Sequence, residues 1–104
     1  MNRVLELGDI RIDQTQLAGL CERYRVRELS VFGSAARGDM RPESDIDLLV
    51  EFLPQANTSL LDHAGLMLDL SDLLGRKVDL VSKNGLKPLI RDFVLEEARL
   101  VYAA

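Results

Sequence analysis

A glycine-serine turn and two nearby carboxylates are the residues of this chain best suited to chemistry. Gly33 and Ser34 end one apolar run, and after ten further residues Asp45 and Asp47 begin the next. The turn can hold a triphosphate, because glycine lets the backbone approach a phosphate and amides at a helix N-terminus favour anions. Carboxylates are oxygen ligands of the kind that Mg²⁺ prefers. Together the two features indicate nucleotidyl transfer.

The two aspartates are predicted to project from one face of a strand. Asp45–Phe52 alternates polar and apolar residues at its start, and residues i and i+2 of a strand lie about 6.5–7 Å apart on the same face. Carboxylates at that spacing can bridge two Mg²⁺ ions, which lie roughly 3.5–4 Å apart in transfer sites. One ion would lower the pKa of an attacking hydroxyl, and the other would hold the triphosphate and stabilise the leaving pyrophosphate.

A third carboxylate and two arginines are further candidates for the same site. Asp79 lies in the run KVDLVS, and it joins the other two aspartates if that segment pairs beside Asp45–Phe52. Three carboxylates on one face would repel each other strongly without a cation. Arg37, one helical turn after the glycine, can add positive charge near the phosphates, and Arg41 is a weaker candidate for that role. Each feature alone is typical of ordinary surface, and only the joint spacing favours a site.

Alternating helices and strands must position these residues. The pattern α-β-α-β-α-β-α predicts an α/β (α+β) fold with a small mixed sheet packed with helices. Its predicted elements are a helix that begins at Asp13, a strand at Leu29–Phe32, a short helix from Ser34 to Arg37, a strand at Asp45–Phe52, a helix from Thr58 or Ser59 to Leu74, a strand at Lys77–Ser82, and a last helix from Pro88 whose apolar stripe includes Val101.

Composition restricts the class of protein. The 104 residues predict a single domain, 1–104, and a net charge of −4 argues against direct binding to nucleic acid. Cys21 is the only cysteine, so no internal disulfide can form, and there is no Cys/His cluster for zinc. The N-terminus does not resemble a signal peptide, and no apolar stretch approaches the roughly 20 residues that span a bilayer. We therefore expect a cytoplasmic protein without a membrane segment.

Gly-Ser, ten residues, Asp-x-Asp and a later strand Asp together resemble the DNA polymerase β-like nucleotidyltransferase superfamily. The short chain and the run GSAARGDMRPESDIDLLVEF resemble its minimal nucleotidyltransferases (MNT). The resemblance implies an NTP donor, Mg²⁺ dependence, triphosphate binding by Gly33 and Ser34, and ligation of both metal ions by Asp45 and Asp47. It also implies that Asp79 completes the carboxylate trio and helps to activate the acceptor hydroxyl.

The same resemblance suggests a partner. Minimal members of the MntA type act as antitoxins that transfer AMP from ATP to a tyrosine of a HEPN ribonuclease toxin and so silence it. The implied function is therefore Mg²⁺-dependent protein adenylylation of a cognate HEPN toxin. Two alternatives stay open, namely a non-catalytic module that occludes the toxin and a nucleotidyltransferase that acts on small molecules.

The sequence does not decide whether the Leu60–Leu74 helix is buried in the core or faces another chain. Leucines and a methionine spread around most sides of the Leu60–Leu74 segment, and such a helix is normally buried on more than one side. Either this is a central core helix, or one side faces another chain in a homo-oligomer or hetero-oligomer.

Overall fold

Two β-sheets and four α-helices make up the computed structural model, which describes residues 3–8 and 10–104. The strands are β1 (Val4–Leu7), β2 (Ile10–Asp13), β3 (Val26–Phe32), β4 (Ile46–Phe52), β5 (Val78–Ser82) and β6 (Arg99–Ala103). The helices are α1 (Gln14–Arg23), α2 (Ser34–Arg37), α3 (Leu60–Leu74) and α4 (Pro88–Glu97), with a single 3-10 turn at Lys83–Gly85.

The larger sheet has the strand order β5-β4-β3-β6. β4 and β5 are parallel, whereas β3 is antiparallel to both β4 and β6. This arrangement confirms the predicted small mixed sheet. β1 and β2 form a separate antiparallel pair, with Leu7 opposite Ile10.

The core lies on the sheet face that is opposite the aspartates. Alternate residues of β3 and β4 point into it, and Val31, Ile46 and Val50 have no exposed surface. Leu66 and Leu70 of α3 are equally buried and belong to the same apolar cluster. Helices cover the apolar face of the sheet. The polar residues at the start of β4 therefore lie on the opposite face, which the core does not fill.

Local caps fix the helices where the sequence predicts them. The Asp13 side chain accepts hydrogen bonds from the N–H groups of Thr15 and Gln16 and so caps α1. Ser59 and Asp62 form a reciprocal capping box at the start of α3. Gly75 ends α3 in the left-handed conformation, at φ 66°.

Apart from one-residue shifts at the starts of β4 and β5, three strand assignments differ from the prediction. The β1–β2 pair was not predicted, and β3 begins at Val26 rather than Leu29. The last helix ends at Glu97, so Val101 lies in β6 and not on a helical stripe. β6 is held by pairing with β3, where Glu28 lies opposite Ala103. Since that partner is distant in sequence, no local pattern revealed the strand.

α3 has both a buried and an exposed side. Leu66, Leu70 and Leu74 face the core, whereas Leu60 and Leu61 are each 84% exposed. The helix is therefore part of the core without being enclosed by it. None of the described helices, in residues 3–8 and 10–104, is both long and apolar enough to cross a membrane.

Candidate active site

An open cleft of about 840 Å³ lies between the start of β4, α2 and one side of α4. Five of the six predicted site residues line it, namely Gly33, Ser34, Arg37, Asp45 and Asp47. The other lining residues are Phe32, Glu43, Ser44, Ile90, Phe93, Val94 and Glu97. The structure therefore brings the glycine-serine turn and the two leading carboxylates to one place.

Asp79, the sixth predicted residue, lies beside the cleft rather than in its lining. It is paired with Asp47 in the parallel β4–β5 ladder. Side chains of laterally paired residues project from the same face of a sheet, so Asp79 is on the same face as Asp47. Within residues 3–8 and 10–104, however, no three His, Cys, Asp or Glu side chains are grouped closely enough to hold a metal. Metal ligation by Asp79 therefore stays a prediction.

Burial and the neighbouring carboxylates both raise the pKa of Asp47. Its side chain is half-buried, and burial raises the pKa of its carboxyl above the usual value. The negative charges of Asp79 and Asp45 raise this pKa further, whereas the positive charge of Arg37 lowers it. A divalent cation would relieve this repulsion. Carboxylate oxygens fit Mg²⁺ in their chemistry, so Asp45 and Asp47 would hold the ion in the cleft, and Asp79 would have to approach them to join as a third ligand.

The raised pKa predicts that Asp47→Asn stabilises the protein when no metal or nucleotide is bound. A carboxyl whose pKa is higher in the folded state opposes folding above that pKa, and the opposition disappears as the pH falls through it. We expect the variant to unfold at a higher temperature than the wild type at pH 7, and the difference between the two proteins to shrink near pH 4. Thermal unfolding at both pH values measures it. A variant that is less stable than the wild type at pH 7 would contradict the argument.

The loop before Asp45 is fixed by backbone contacts. Nη2 of Arg76 donates hydrogen bonds to the carbonyl oxygens of Arg41 and Ser44, both at 2.6 Å. The N–H of Ile46 donates to the carbonyl of Lys77 at 2.9 Å, which joins the start of β4 to the segment before β5. These bonds position Asp45 at the edge of the cleft. Arg41 does not line the cleft, so the structure gives its guanidinium no place there.

An ion pair at Asp45 contributes little to this arrangement. Lys77 Nζ lies 3.8 Å from Asp45 Oδ2, with the two side chains 81% and 45% exposed. Ion pairs with that exposure contribute at most about 1 kcal/mol. Loss of this ion pair would therefore cost little if a more highly charged cation bound Asp45.

Gly33 is required by both its backbone angles and its neighbour. Its φ of 69° and ψ of −147° are accessible essentially only to glycine. A Cβ atom at this position would collide with Oδ2 of Asp47 and lie 3.3 Å from its Cγ. The glycine thus allows the turn to lie directly against the Asp47 carboxylate.

Glu97 is a cleft residue that the sequence analysis missed. Its Oε1 accepts a hydrogen bond from the Gly33 N–H at 2.6 Å, and Nη1 of Arg37 lies 3.2 Å from Oε2. Arg37 also pairs with Asp39, with Nε 3.4 Å from Oδ2. A glutamate near the end of a predicted helix carries no local signal of such a contact, because Gly33 is 64 residues away in sequence.

The sequence matches the family model described as "Nucleotidyltransferase domain" over residues 14–101. A relative from Thermococcus cleftensis, named protein adenylyltransferase MntA, is 47% identical over 78 residues, which cover 75% of this chain and 77% of the relative.

Solved structures show the same fold. One provisionally assigned minimal nucleotidyltransferase has a TM-score of 0.72 at 48% identity, with 83% of this chain and 86% of that chain covered. A second structure contains the tri-AMPylated HEPN toxin of Shewanella oneidensis in complex with an MNT antitoxin. Its matching chain has a TM-score of 0.63 at 17% identity, with 88% of this chain and 70% of that chain covered. At this low identity, the similarity shows the fold alone.

Proposed function

The chain belongs to the nucleotidyltransferase domain family, and from that premise we propose that it is a protein adenylyltransferase that transfers AMP from ATP. The acceptor in this proposal is a tyrosine hydroxyl of a cognate HEPN ribonuclease toxin, which makes the chain an antitoxin. The observation that carries the proposal is the placement of Asp45 and Asp47 in the same cleft as the Gly33–Ser34 turn.

The proposed reaction replaces a phosphoanhydride bond of ATP by a phosphoester bond to the acceptor. The acceptor oxygen forms a bond to the α-phosphorus, the bond from that phosphorus to the bridging α–β oxygen breaks, and pyrophosphate leaves while the acceptor proton passes to solvent. Gly33 and Ser34 bind the β- and γ-phosphates, and Arg37 offsets their charge. In the proposed site Asp45 and Asp47 would hold Mg²⁺, and Asp79 would complete the set of carboxylates. When bound, Mg²⁺ supplies charge stabilisation and a lowered hydroxyl pKa.

Exposed apolar side chains beside the cleft support an acceptor that is a protein. Ile90 and Phe93 line the cleft and are 49% and 75% exposed, and Leu89 on the same helix is 91% exposed. Leu60 and Leu61 of α3 are further large apolar residues open to solvent. Apolar surface of this kind is typical of sites that bind other proteins.

The relatives guide the choice of acceptor. The Thermococcus cleftensis relative is named for protein adenylylation, at an identity of 47%. The Shewanella oneidensis neighbour shares the fold and is described with a HEPN toxin that carries three AMP groups. A HEPN toxin encoded beside this chain is therefore the acceptor to test first.

Isotope position distinguishes adenylylation from phosphorylation. The chain is incubated with its HEPN partner, Mg²⁺ and ATP labelled with ³²P at either the α- or the γ-phosphate. We expect label on the partner from α-labelled ATP only, and a partner tyrosine→Phe variant should lose it. Transfer from γ-labelled ATP, or transfer to no protein at all, would contradict the proposal.

Occlusion of the toxin is the second candidate, and the exposed leucines of α3 and α4 favour it. In that case the fold binds the toxin and nucleotide chemistry is dispensable. The discriminating measurement is growth of cells that express the toxin with the Asp45→Asn/Asp47→Asn double variant. Full protection by a variant that transfers no AMP would support occlusion, and loss of protection supports adenylylation.

A further inference from the structure

The carboxylate of Glu97 contacts the groups that are proposed to bind the donor's phosphates. It accepts the Gly33 N–H at 2.6 Å, and Nη1 of Arg37 lies 3.3 Å from Oε1 and 3.2 Å from Oε2. A backbone N–H next to a glycine turn and a guanidinium are donors that proteins commonly use for phosphate oxygens. In the structure these donors are therefore already satisfied by an anion of the chain itself.

The contact made by Glu97 is not part of the buried core. No residue of α4 is buried, and the helix leaves Leu89, Ile90 and Phe93 largely exposed. The Arg37 and Glu97 side chains are 52% and 31% exposed, and ion pairs between such side chains contribute little. The Glu97 side chain can therefore leave the cleft without disrupting buried structure.

Glu97 also adds negative charge to a cleft that already contains carboxylates. Glu97 lines the same cleft as Asp45 and Asp47. A metal-bound triphosphate brings its own cations, whereas Glu97 brings none. Departure of Glu97 therefore removes one negative charge from the cleft, while the metal bound to the incoming triphosphate offsets part of that ligand's charge.

We propose that Glu97 competes with the donor nucleotide by occupying the phosphate subsite formed by Gly33 and Arg37. The inference rests on the proposed function, because it takes ATP as the ligand of that subsite. The nucleotide displaces the Glu97 carboxylate from both donors when it binds. Glu97 thereby lowers the affinity for ATP and keeps the subsite closed to weaker anions.

Calorimetric titration of Mg·ATP into the wild type and Glu97→Gln tests the competition. Because the variant removes a charged competitor, we expect it to bind Mg·ATP roughly tenfold more tightly. Glu97→Ala, which removes the carboxylate altogether, should bind at least as tightly. Adenosine lacks phosphates, so its affinity should be the same for all three proteins.

Glu96→Gln is the matched control, since Glu96 is the neighbouring exposed glutamate of α4 and does not line the cleft. It should bind Mg·ATP as the wild type does. Equal or weaker binding by Glu97→Gln, or an equal gain for both glutamine variants, would overturn the competition while leaving the proposed function intact. If neither the wild type nor any variant bound Mg·ATP, the proposed donor itself would be refuted.

Displacement can also be followed in the wild-type protein, without a variant that must fold. The ¹³C resonance of the Glu97 side-chain carboxyl is expected to shift when Mg·ATP is added, while that of Glu96 stays in place. A Glu97 resonance that does not change at saturating nucleotide would overturn the inference.

Discussion

Replacing Asp45 or Asp47 by asparagine is expected to lower the rate of AMP transfer by more than about 100-fold. Asparagine keeps the shape of the side chain but removes the negative charge that would hold Mg²⁺ beside the Gly33–Ser34 turn. Mutation of a residue that only supports a metal ligand typically lowers metal affinity or activity roughly 10–100-fold. Mutation of a residue that would bind the metal directly should therefore lower activity further. Transfer from α-labelled ATP to the partner measures the rate.

Asp72→Asn provides the control for this pair of variants. Asp72 is an exposed aspartate on α3, outside the cleft, so the change removes the same charge without touching the site. Its rate should match that of the wild type. Because Asp47→Asn is also expected to raise the melting temperature, its loss of activity cannot be attributed to unfolding. Substantial activity in either cleft variant would show that the carboxylates do not carry the chemistry.

Gly33→Ala is expected to remove nucleotide binding and to destabilise the fold. An alanine at φ 69° and ψ −147° is strained, at a cost on the order of 1–3 kcal/mol, and its Cβ would collide with the Asp47 carboxylate. The aspartate or the turn must then move, and either shift separates the phosphate donors from the metal ligands. Titration with Mg·ATP and thermal unfolding together measure both effects.

Gly19→Ala is the matched control for the glycine substitution. Gly19 lies within α1, where an added Cβ meets no atom within 4 Å. Since alanine has the higher helix propensity by about 1 kcal/mol, this variant should be slightly more stable than the wild type and should bind nucleotide normally. Normal Mg·ATP binding by Gly33→Ala would contradict the role given to the turn.

The glycine-serine turn and the first two aspartates could be predicted because they are marked by patterns of neighbouring residues. Gly33, Ser34, Asp45 and Asp47 lie within one continuous segment from the end of β3 through α2 to β4, where glycine marks the turn and period-two alternation marks the strand. The position of Asp79 needed one further assumption, that two apolar runs pair side by side. The parallel β4–β5 register, with Asp47 opposite Asp79, is consistent with that assumption.

The remaining features depend on contacts between distant parts of the chain. β6 pairs with β3, and Glu97 reaches Gly33 across 64 residues. The end of α4 was wrongly predicted because its apolar spacing continues to Val101, whereas that residue is held in a strand by β3. Tertiary pairing overrides helix periodicity at such positions, and no single-segment pattern encodes it.

Anomalous diffraction from crystals grown with Mn²⁺ and a non-hydrolysable ATP analogue tests the metal site most directly, because Mn²⁺ accepts the same oxygen ligands as Mg²⁺. We expect two metal peaks in contact with the carboxylates of Asp45 and Asp47, with Asp79 turned toward one of them and the phosphates against Gly33. Metal bound elsewhere, or phosphates bound with no metal between these aspartates, would contradict the account.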